Sequence, residues 1–434
     1  PQCIGALQQL QVLDLSETQL NGTLPYSMHT LKGLTYLGLE RTHLRGDPWG
    51  VICELHSLRN LYLIDAFFDA QLPGCIGRLT QLRDLLIADN SFHGSLPTEP
   101  TQLTLLEKFD AQRNFFVGCL PSGWGNLSSL IFVSVAQNSL NCSIPADIGA
   151  AAALEVLDLS SNEFEGAIPA SVCDVGGLSS LFLDANHLSG SILPCLASIQ
   201  SLVVLALSFN SFTGSVPFGL FSLPLLQVFS VGQNKGLFGQ LQPQAGGVLF
   251  DLPQLYQLDL TDTSLSGSIM SNMEGVPRLQ SLNLQRAQFS GPLDSRLAQR
   301  CPHLRVLAVD ENAFSGRIPG LPESLQTALI AKNNLEGPIP SLGSVVNLTY
   351  FFADANPRLS APPPDDMWRL SRLRVFSAPF CSLHGWVPAS LLQLGVWGNS
   401  SLVNITLQGN TLHGQLPALC GGGAQSKTHR AGDS

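Results

Sequence analysis

Ten cysteines and nine histidines are the side chains of this 434-residue chain most able to bind metal or act as nucleophiles. Zinc sites and catalytic centres draw such residues together at short, recognisable spacings. The sequence has no Cys-x-x-Cys pair, no His-Glu-x-x-His, no Gly-x-Ser-x-Gly and no Gly-Lys phosphate loop. We therefore expect no metal, no cofactor and no catalytic residue, and we predict that the protein is not an enzyme.

Charged and aromatic side chains carry the remaining chemistry, and their balance limits the partners. The net charge is −10, and an acidic surface repels phosphate backbones, so we predict no nucleic-acid partner. No run of about 18 apolar residues occurs, which predicts no membrane span in this chain. Recognition of a protein, a peptide or a glycan is the kind of function that this composition allows.

A repeated leucine pattern sets the position of all these side chains. Leu10, Leu13 and Leu15 have the spacing L-x-x-L-x-L, which recurs 24 residues later from Leu34. Alternating L-x-L residues form a short strand with one face inward, and self-similarity at this period predicts a stacked solenoid. We number each coil from its first leucine as position 1. The first leucines of the 17 coils are Leu10, Leu34, Leu58, Leu82, Leu106, Leu130, Leu154, Leu178, Leu202, Leu226, Leu255, Leu279, Leu304, Leu325, Leu348, Leu373 and Leu402.

Asparagine at position 9 and glycine at position 13 complete the repeat. An inward asparagine can bond backbone groups of its own coil and of its neighbour. Glycine permits a backbone turn that is closed to most residues. Eleven coils carry the asparagine: Asn90, Asn114, Asn138, Asn162, Asn186, Asn210, Asn234, Asn312, Asn333, Asn356 and Asn410. The other six carry Thr18, Thr42, Ala66, Thr263, Ala287 and Cys381. Threonine can replace part of the bonding and alanine cannot, so we expect the alanine coils to be less tightly held.

The segment after the asparagine resembles the plant-type leucine-rich-repeat family, which is marked by L-x-G-x-I-P. The matching stretches run from Phe164 to Pro169, from Phe212 to Pro217 and from Leu335 to Pro340. The resemblance implies an α/β solenoid, a right-handed superhelix with a parallel β-sheet on the concave face and 3-10, short helical or irregular convex segments. The family includes ectodomains of receptor-like kinases and receptor-like proteins, and polygalacturonase-inhibiting proteins. Related arrays occur on protist surface antigens.

Residues 1–420 are predicted to form the solenoid, and 421–434 a flexible tail. The 24-residue spacing breaks near 235–254, 357–372 and 391–401. These breaks are either functional loops or drift in a tolerant solenoid. The paired-cysteine cap that precedes the first repeat in the family is absent, and Pro1 begins inside a coil, so we expect apolar surface at the N-terminal end.

The placement of six cysteines predicts disulfides between neighbouring coils. Cys53 lies five residues before Leu58 and Cys75 seven before Leu82, and the same two offsets recur in a later pair of coils. Coils about 5 Å apart suit the Cα separation of a disulfide. The predicted pairs are Cys53–Cys75, Cys173–Cys195 and, at one height, Cys119–Cys142. Buried thiols in a reduced protein are the alternative.

Six N-x-S/T sequons support an oxidising, extracellular or cell-surface location. An extracellular chain can carry N-linked glycans at these asparagines. The sequons begin at Asn21, Asn126, Asn141, Asn347, Asn399 and Asn404.

The ligand should contact the side chains that the repeat leaves outward, at positions 3, 5, 7 and 8. Exposed aromatics on a rigid sheet resemble binding hot spots, although strand propensity alone also favours Tyr and Phe. Arg372 and Arg374 do not occupy these positions, so the arginine-pair subclass of peptide-hormone receptors is not supported. We expect nine residues to face solvent and to bind the ligand: Tyr62, Lys108, Asp110, Arg113, Phe132, Asp158, Phe182, Asp184 and Phe209.

A non-catalytic recognition module is therefore the predicted function. We expect the extracellular ligand-binding region of a cell-surface receptor-like protein, with a protein, peptide or glycan bound on the concave face. A structural surface antigen or adhesin, and a secreted inhibitor of a cell-wall-degrading enzyme, are the alternatives.

Overall fold

The computed structural model describes residues 2–242, 249–271, 273–388 and 402–414. They belong to two compact units, Pro1–Ser266 and Gly267–Ser434. In each unit the chain makes one turn per repeat, and a short strand recurs at the same place in every turn. The predicted solenoid fold is confirmed.

Positions 3 to 5 of each coil form the first strand. In unit 1 these strands pair in parallel without slippage, so that Val12 lies opposite Tyr36 and Leu13 opposite Leu37. The described first strands of unit 1 are Val12–Asp14, Tyr36–Gly38, Asn60–Tyr62, Asp84–Leu86, Lys108–Asp110, Phe132–Ser134, Val156–Asp158, Ser180–Phe182, Val204–Ala206, Val228–Ser230 and Gln257–Asp259. Those of unit 2 are Ser281–Asn283, Val306–Ala308, Thr327–Leu329, Tyr350–Phe352, Val375–Ser377 and Asn404–Thr406.

A second short strand follows the asparagine, and the sequence did not predict it. It pairs position 12 of one coil with position 10 of the next, as Asn21 with His43 and Arg45 with Phe67. In unit 1 it spans Asn21–Gly22, His43–Gly46, Phe67–Phe68, His93–Ser95, Phe115–Cys119, Ser139–Asn141, Glu165–Gly166, His187–Ser191, Ser211–Gly214, Gly236–Gln240 and Ser264–Gly267. In unit 2 it spans Gln288–Pro292, Ala313–Arg317, Asn334–Gly337, Arg358–Ala361, Ser382–Gly385 and Thr411–Leu412.

Short helices close most of the described coils, because proline after the isoleucine position begins the return segment. Two are α-helical turns, Trp49–Ile52 and Leu297–Arg300. The 3-10 helices of unit 1 are Gln2–Ala6, Tyr26–Thr30, Gly74–Arg78, Glu99–Gln102, Trp124–Asn126, Ala146–Ala150, Ala170–Asp174, Pro194–Ser198 and Phe218–Ser222. Ile269–Ser271 and Met367–Arg369 are those of unit 2.

Leucines at positions 1, 4 and 6 fill the interior of the coils together with an aromatic row at position 11. From Leu34 to Ala378 the side chains at these three positions are almost fully buried. Burial of such side chains is the main force that stabilises a stack whose coils cannot fold singly. The fully buried aromatic row contains Phe68, Phe92, Phe116, Phe164, Phe212, Phe289 and Phe314.

The position-9 asparagines tie each coil to the one before it. The Asn162 amide donates to the Leu159 and Ser160 carbonyls of its own coil at 3.3 and 3.2 Å. It also donates to the Val135 carbonyl of the preceding coil at 2.9 Å. Its Oδ1 accepts from the backbone N–H of Leu140, also in the preceding coil, at 2.9 Å. The predicted inward asparagine is confirmed, and it bonds backbone groups of its own coil and of the preceding coil.

Threonine at position 9 makes one of these bonds. The hydroxyls of Thr18, Thr42 and Thr263 donate to the carbonyl three residues earlier at 2.7, 2.9 and 2.9 Å. No bond from these hydroxyls to the preceding coil is present in the described parts of the chain. Threonine is therefore the partial replacement that the sequence predicted, while the weaker hold on the alanine coils stays a prediction.

Position 8 adopts the left-handed backbone conformation in every described coil, a feature that the repeat pattern does not predict. Sixteen of these residues are not glycine, including Ala185 at φ 54° and Phe209 at φ 56°. A side chain in this region costs about 1–2 kcal/mol. The turn into the buried asparagine imposes the conformation, so these coils carry local strain while presenting a side chain to solvent.

Three disulfides join neighbouring coils of unit 1: Cys53–Cys75, Cys119–Cys142 and Cys173–Cys195. Their Cα atoms are 5.7, 5.3 and 5.8 Å apart. These are the three pairs that the cysteine placement predicted. Cys301 and Cys381 are buried free thiols and Cys3 is an exposed one.

The N-terminal end of unit 1 exposes apolar surface, as expected from the sequence. Leu10, Leu13 and Leu15 are only half-buried, whereas their equivalents in the next coil are fully buried. Leu20 is 42% exposed, and a cavity of about 290 Å³ opens among the apolar side chains of this coil.

The predicted domain boundaries remain predictions. The break near 235–254 contains the second strand Gly236–Gln240, and that near 357–372 contains the second strand Arg358–Ala361 and the helix Met367–Arg369. The third break, 391–401, and the tail 421–434 lie outside the described residues.

Candidate ligand-binding face

The outward side of the first strands is the surface on which ligand-binding residues were predicted. We call it the strand face and define it by positions 3, 5, 7 and 8 of each coil. Parallel pairing brings equal positions of successive coils into columns, so Lys108 lies beside Phe132 and Asp158 beside Phe182. In coils five to nine of unit 1, the columns therefore bring together eight of the nine predicted residues.

The phenylalanines of the strand face differ in exposure. Phe209, at position 8, is 60% exposed. Phe132 and Phe182, at positions 3 and 5, are half-buried, so the expectation that all nine side chains face solvent freely is wrong for them. The spacing between neighbouring strands, about 5 Å, is smaller than the width of a phenyl ring, so neighbouring side chains cover part of each ring. A partly covered ring is a pre-ordered contact surface, which reduces the entropy lost on binding.

Asp110 is buried, which also corrects the prediction that it faces solvent. It is only 8% exposed, although it occupies position 5. Its carboxylate accepts the backbone N–H of Gln112 at 3.1 Å and the Gln112 side-chain amide at 3.3 Å. Burial raises the pKa of Asp110 to about 6, against the effect of these bonds and with a smaller contribution from the charges of Asp89 and Asp158.

Asp158 and Asp184 lie on the same face as Asp110, and we call these three residues the acidic strip. Both are half-buried, and burial raises the pKa of each carboxyl above its ordinary value. Asp158 accepts the Ser160 backbone N–H at 3.0 Å and the Ser160 hydroxyl at 2.7 Å. Between Asp110 and Asp158 in the same column lies Ser134, which is 1% exposed and whose hydroxyl has no hydrogen-bond partner within the usual distance and angle limits. Within the described residues, no ion pair of 4 Å or less reaches these aspartates, so the strip is an uncompensated negative surface.

The two basic residues of coil five differ in their availability. Arg113 Nε lies 3.3 Å from Asp89 Oδ1, and both residues occupy position 8. Similar ion pairs between position-8 residues join Arg41 to Glu17 in unit 1 and Lys332 to Glu311 in unit 2. Exposed pairs contribute little to stability, so a ligand could displace them. Lys108 is exposed.

Tyr62, the ninth predicted residue, is part of a separate polar cluster in coils three and four. Its hydroxyl donates to Asp84 Oδ2 at 2.6 Å, and Asn60 donates to the same oxygen at 2.7 Å. Burial, followed by the bond to Asp84, raises the pKa of Tyr62. The Tyr36 ring meets the Tyr62 ring edge-on at 5.3 Å. Tyr62 therefore presents a fixed ring edge and has its hydroxyl already engaged.

Sequence reasoning missed Ser134 and the constraint at position 8. A serine in a strand gives no signal of burial, and the left-handed conformation carries no marker because glycine appears there in only one described coil. Among the described residues, no group of three or more His, Cys, Asp or Glu could hold a metal ion. The strand face can chemically offer apolar ring surface and negative charge.

The predicted glycosylation asparagines lie on different surfaces. Asn21, Asn126 and Asn141 are exposed on second strands or helices of unit 1. The Asn347 amide donates to the Glu323 carbonyl at 3.2 Å and its oxygen accepts from Arg372 at 3.0 Å. Asn404 lies at position 3 of a first strand, so a glycan there would occupy the strand face of its coil. Asn399 lies outside the described residues, and all six remain predicted sites.

A family model described as Leucine Rich Repeat matches residues 9–31 and 153–175. No curated protein matches the chain. In the described segments, no helix has the length and apolarity needed to cross a membrane.

Solved receptor ectodomains resemble the structure over nearly its whole length. The ectodomain of the Arabidopsis receptor kinase HAESA, in complex with an N-terminally extended IDA peptide hormone ligand, shares 27% identity with a TM-score of 0.87, covering 96% of this chain and 69% of that chain. A TDR receptor shares 28% identity with a TM-score of 0.77, covering 94% and 78%.

A third ectodomain is considerably longer than this chain. It belongs to the Arabidopsis thaliana membrane receptor kinase GASSHO1/SCHENGEN3, in complex with Casparian strip integrity factor 2. It shares 27% identity with a TM-score of 0.67 and covers 96% of this chain, which spans 55% of its length. The repeat motif, the coil geometry and these likenesses together show a leucine-rich-repeat solenoid that is similar to plant receptor ectodomains.

Proposed function

We propose that this protein is a non-catalytic recognition module of the extracellular space or cell surface, and that it binds a peptide on the strand face of coils five to nine. The observation that carries the proposal is the composition of that face. Its phenyl rings and carboxylates are not required by the repeat, which needs only leucine, asparagine and glycine at other positions. The solved complex of a similar ectodomain with a peptide hormone supports the choice of a peptide.

An extracellular location is supported by covalent features of unit 1. Three disulfides join its coils, and disulfides persist in oxidising compartments. Three of its exposed asparagines begin sequons, which are modified only in the secretory route.

The charge of the strand face selects among peptides. Asp110, Asp158 and Asp184 are desolvated without a cation beside them, which leaves them less stable as carboxylates than in water. A ligand that places a lysine, an arginine or an N-terminal amine over this strip would supply the missing positive charge. The adjacent Phe182 ring would contact the apolar part of the same side chain. We therefore propose a peptide with a basic residue next to an apolar one.

Panning of a displayed random-peptide library on the secreted protein tests this function. Enriched sequences would be synthesised and their affinities measured by calorimetry against wild type, Phe209→Ala and Phe182→Ala. Hot-spot truncation costs about 1–3 kcal/mol, so we expect about 5- to 150-fold weaker binding for the face variants. Phe209→Ala is the cleaner variant because the half-buried Phe182 also contributes to packing.

Phe238→Ala is the matched control. Phe238 is 58% exposed, close to Phe209, but it lies on a second strand of unit 1. Unchanged affinity for this variant, with loss for Phe209→Ala, would support the strand face. Equal affinities for all variants would contradict the proposed site. Enriched peptides without a basic residue would contradict the proposed charge preference.

A further inference from the structure

The second strands of coils one to three form a shallow site on another side of unit 1. A cavity of about 450 Å³ is lined by Asn21, His43, Arg45 and Phe67. Asn21 is the ladder partner of His43, and Arg45 is that of Phe67, so the four side chains lie side by side along the strands. The site is therefore continuous over three successive coils.

Asn21 is well placed to be modified. It begins the sequon Asn21-Gly22-Thr23, and both Asn21 and Thr23 are exposed. The Asn21 side chain makes no hydrogen bond within the described part of the chain, in contrast to Asn347, whose amide group is engaged at both ends. A glycan transferred to Asn21 would therefore start inside the cavity that this residue lines.

Phe67 presents most of its ring to solvent. It is 60% exposed, and its ring centroid lies 5.7 Å from that of His43 at an interplanar angle of 30°. One exposed phenylalanine would need no explanation. Here, however, the cavity that the sequon residue Asn21 lines is also lined by Phe67, His43 and Arg45.

We propose that the N-linked glycan of Asn21 folds back on this cavity, with its first sugars stacked on His43 and Phe67. Two coils span about 10 Å, which the two N-acetylglucosamine residues of the glycan core can cover. The C–H bonds of a pyranose ring are positively polarised and fit the negative face of an aromatic ring. The Arg45 guanidinium and the His43 imidazole can donate to hydroxyl and acetamido oxygens. The glycan thus becomes a covalent part of the first coils, where Leu10, Leu13 and Leu15 are only half-buried.

The proposal rests on the proposed extracellular location but not on ligand binding. Expression with a heterologous secretion signal supplies the glycan, and peptide mapping by mass spectrometry measures occupancy at Asn21. Thermal unfolding is then compared for wild type, Phe67→Ser, Asn21→Gln and the double variant. We expect Phe67→Ser to lower the Tm by about 2–4 °C in glycosylated protein, and by clearly less when Asn21→Gln removes the glycan.

Phe115→Ser is the matched control. Phe115 is 63% exposed at the same position 10, and its ladder partner is His93, but no sequon lies in the two preceding coils. Its effect on the Tm should be independent of Asn21→Gln. Thr23→Ala, which removes the sequon and keeps Asn21, should reproduce the effect of Asn21→Gln.

A second measurement does not depend on stability. Native removal of the glycan by an endoglycosidase should be at least about threefold faster in Phe67→Ser than in wild type, because a docked core is less accessible. An unoccupied Asn21 in the secreted protein would overturn the proposal, and so would equal effects of Phe67→Ser with and without the glycan. The proposed function is tested separately, by the affinity of a peptide selected on the strand face. If Phe67→Ser and Asn21→Gln leave that affinity unchanged, failure of the glycan proposal does not count against the proposed function.

Discussion

Asp110→Asn should make the protein more stable at neutral pH and leave its stability unchanged in acid. Asp110 is 8% exposed, and among the described residues its carboxylate accepts hydrogen bonds from the backbone and side-chain N–H groups of Gln112. Burial raises the pKa of Asp110 from 3.8 to about 6. Folding therefore favours the protonated form, and ionisation at higher pH acts against the folded state.

The sign and the size of the effect follow from proton linkage. Between about pH 4 and pH 6 the folded state binds more protons at Asp110 than the unfolded state, so the free energy of unfolding falls as the pH rises. A difference of about two pKa units corresponds to about 3 kcal/mol at pH 7.5. Asparagine keeps an oxygen for the Gln112 backbone N–H but loses the charge-assisted part of that bond, at about 1 kcal/mol. We expect a net gain of about 1–2 kcal/mol.

Denaturant unfolding of wild type and Asp110→Asn at pH 3.5, 5 and 7.5 measures this difference, and global effects of pH cancel between the two proteins. Asp14 provides the control, because it occupies the same column but is exposed, and hydrogen bonds from Ser16 lower its pKa. Asp14→Asn should therefore give no gain at pH 7.5. A stability difference for Asp110→Asn that stays constant from pH 3.5 to 7.5, or a loss at pH 7.5, would refute the reasoning.

Three further predictions concern the scaffold. Asn162→Ala should lower the free energy of unfolding by about 3 kcal/mol, since it removes four side-chain bonds to the backbone, whereas Thr263→Ala should cost about 1 kcal/mol; similar losses for both would contradict the assigned bonding. Ala185→Gly should raise stability by about 1 kcal/mol by relieving the left-handed conformation, and a loss in denaturant unfolding would argue against strain at position 8. Replacing both Cys173 and Cys195 by serine should lower stability by about 3 kcal/mol, and an unchanged midpoint under non-reducing conditions would show that this disulfide does not form.

The repeat predicted the first strands and the buried asparagines because the same residue type recurs at the same position in many coils. Position 4 is inward at Leu37 for the same reason as at Leu205. The burial of Asp110 and Phe182 could not be predicted in this way, because it depends on which side chains the two neighbouring coils place beside them. The second strands also left no alternating pattern, since they are only two to five residues long. Structural features that recur in every coil can therefore be predicted from the sequence, whereas the burial of a side chain by its neighbouring coils cannot.

The direction of the asparagine bonds has a consequence for biosynthesis. Each position-9 amide, such as that of Asn162, bonds groups of the coil before it, so a coil is completed only when its successor has been made. Translation supplies coils in this same order, and N-terminal segments fold first on the ribosome. Each newly emerged repeat would then complete the hydrogen bonds of the previous one. Only the last coil would remain incomplete, so that the growing array elongates in one direction. Where Thr42 or Ala66 replaces the asparagine, these hydrogen bonds are incomplete and the nascent array should pause in a more open state.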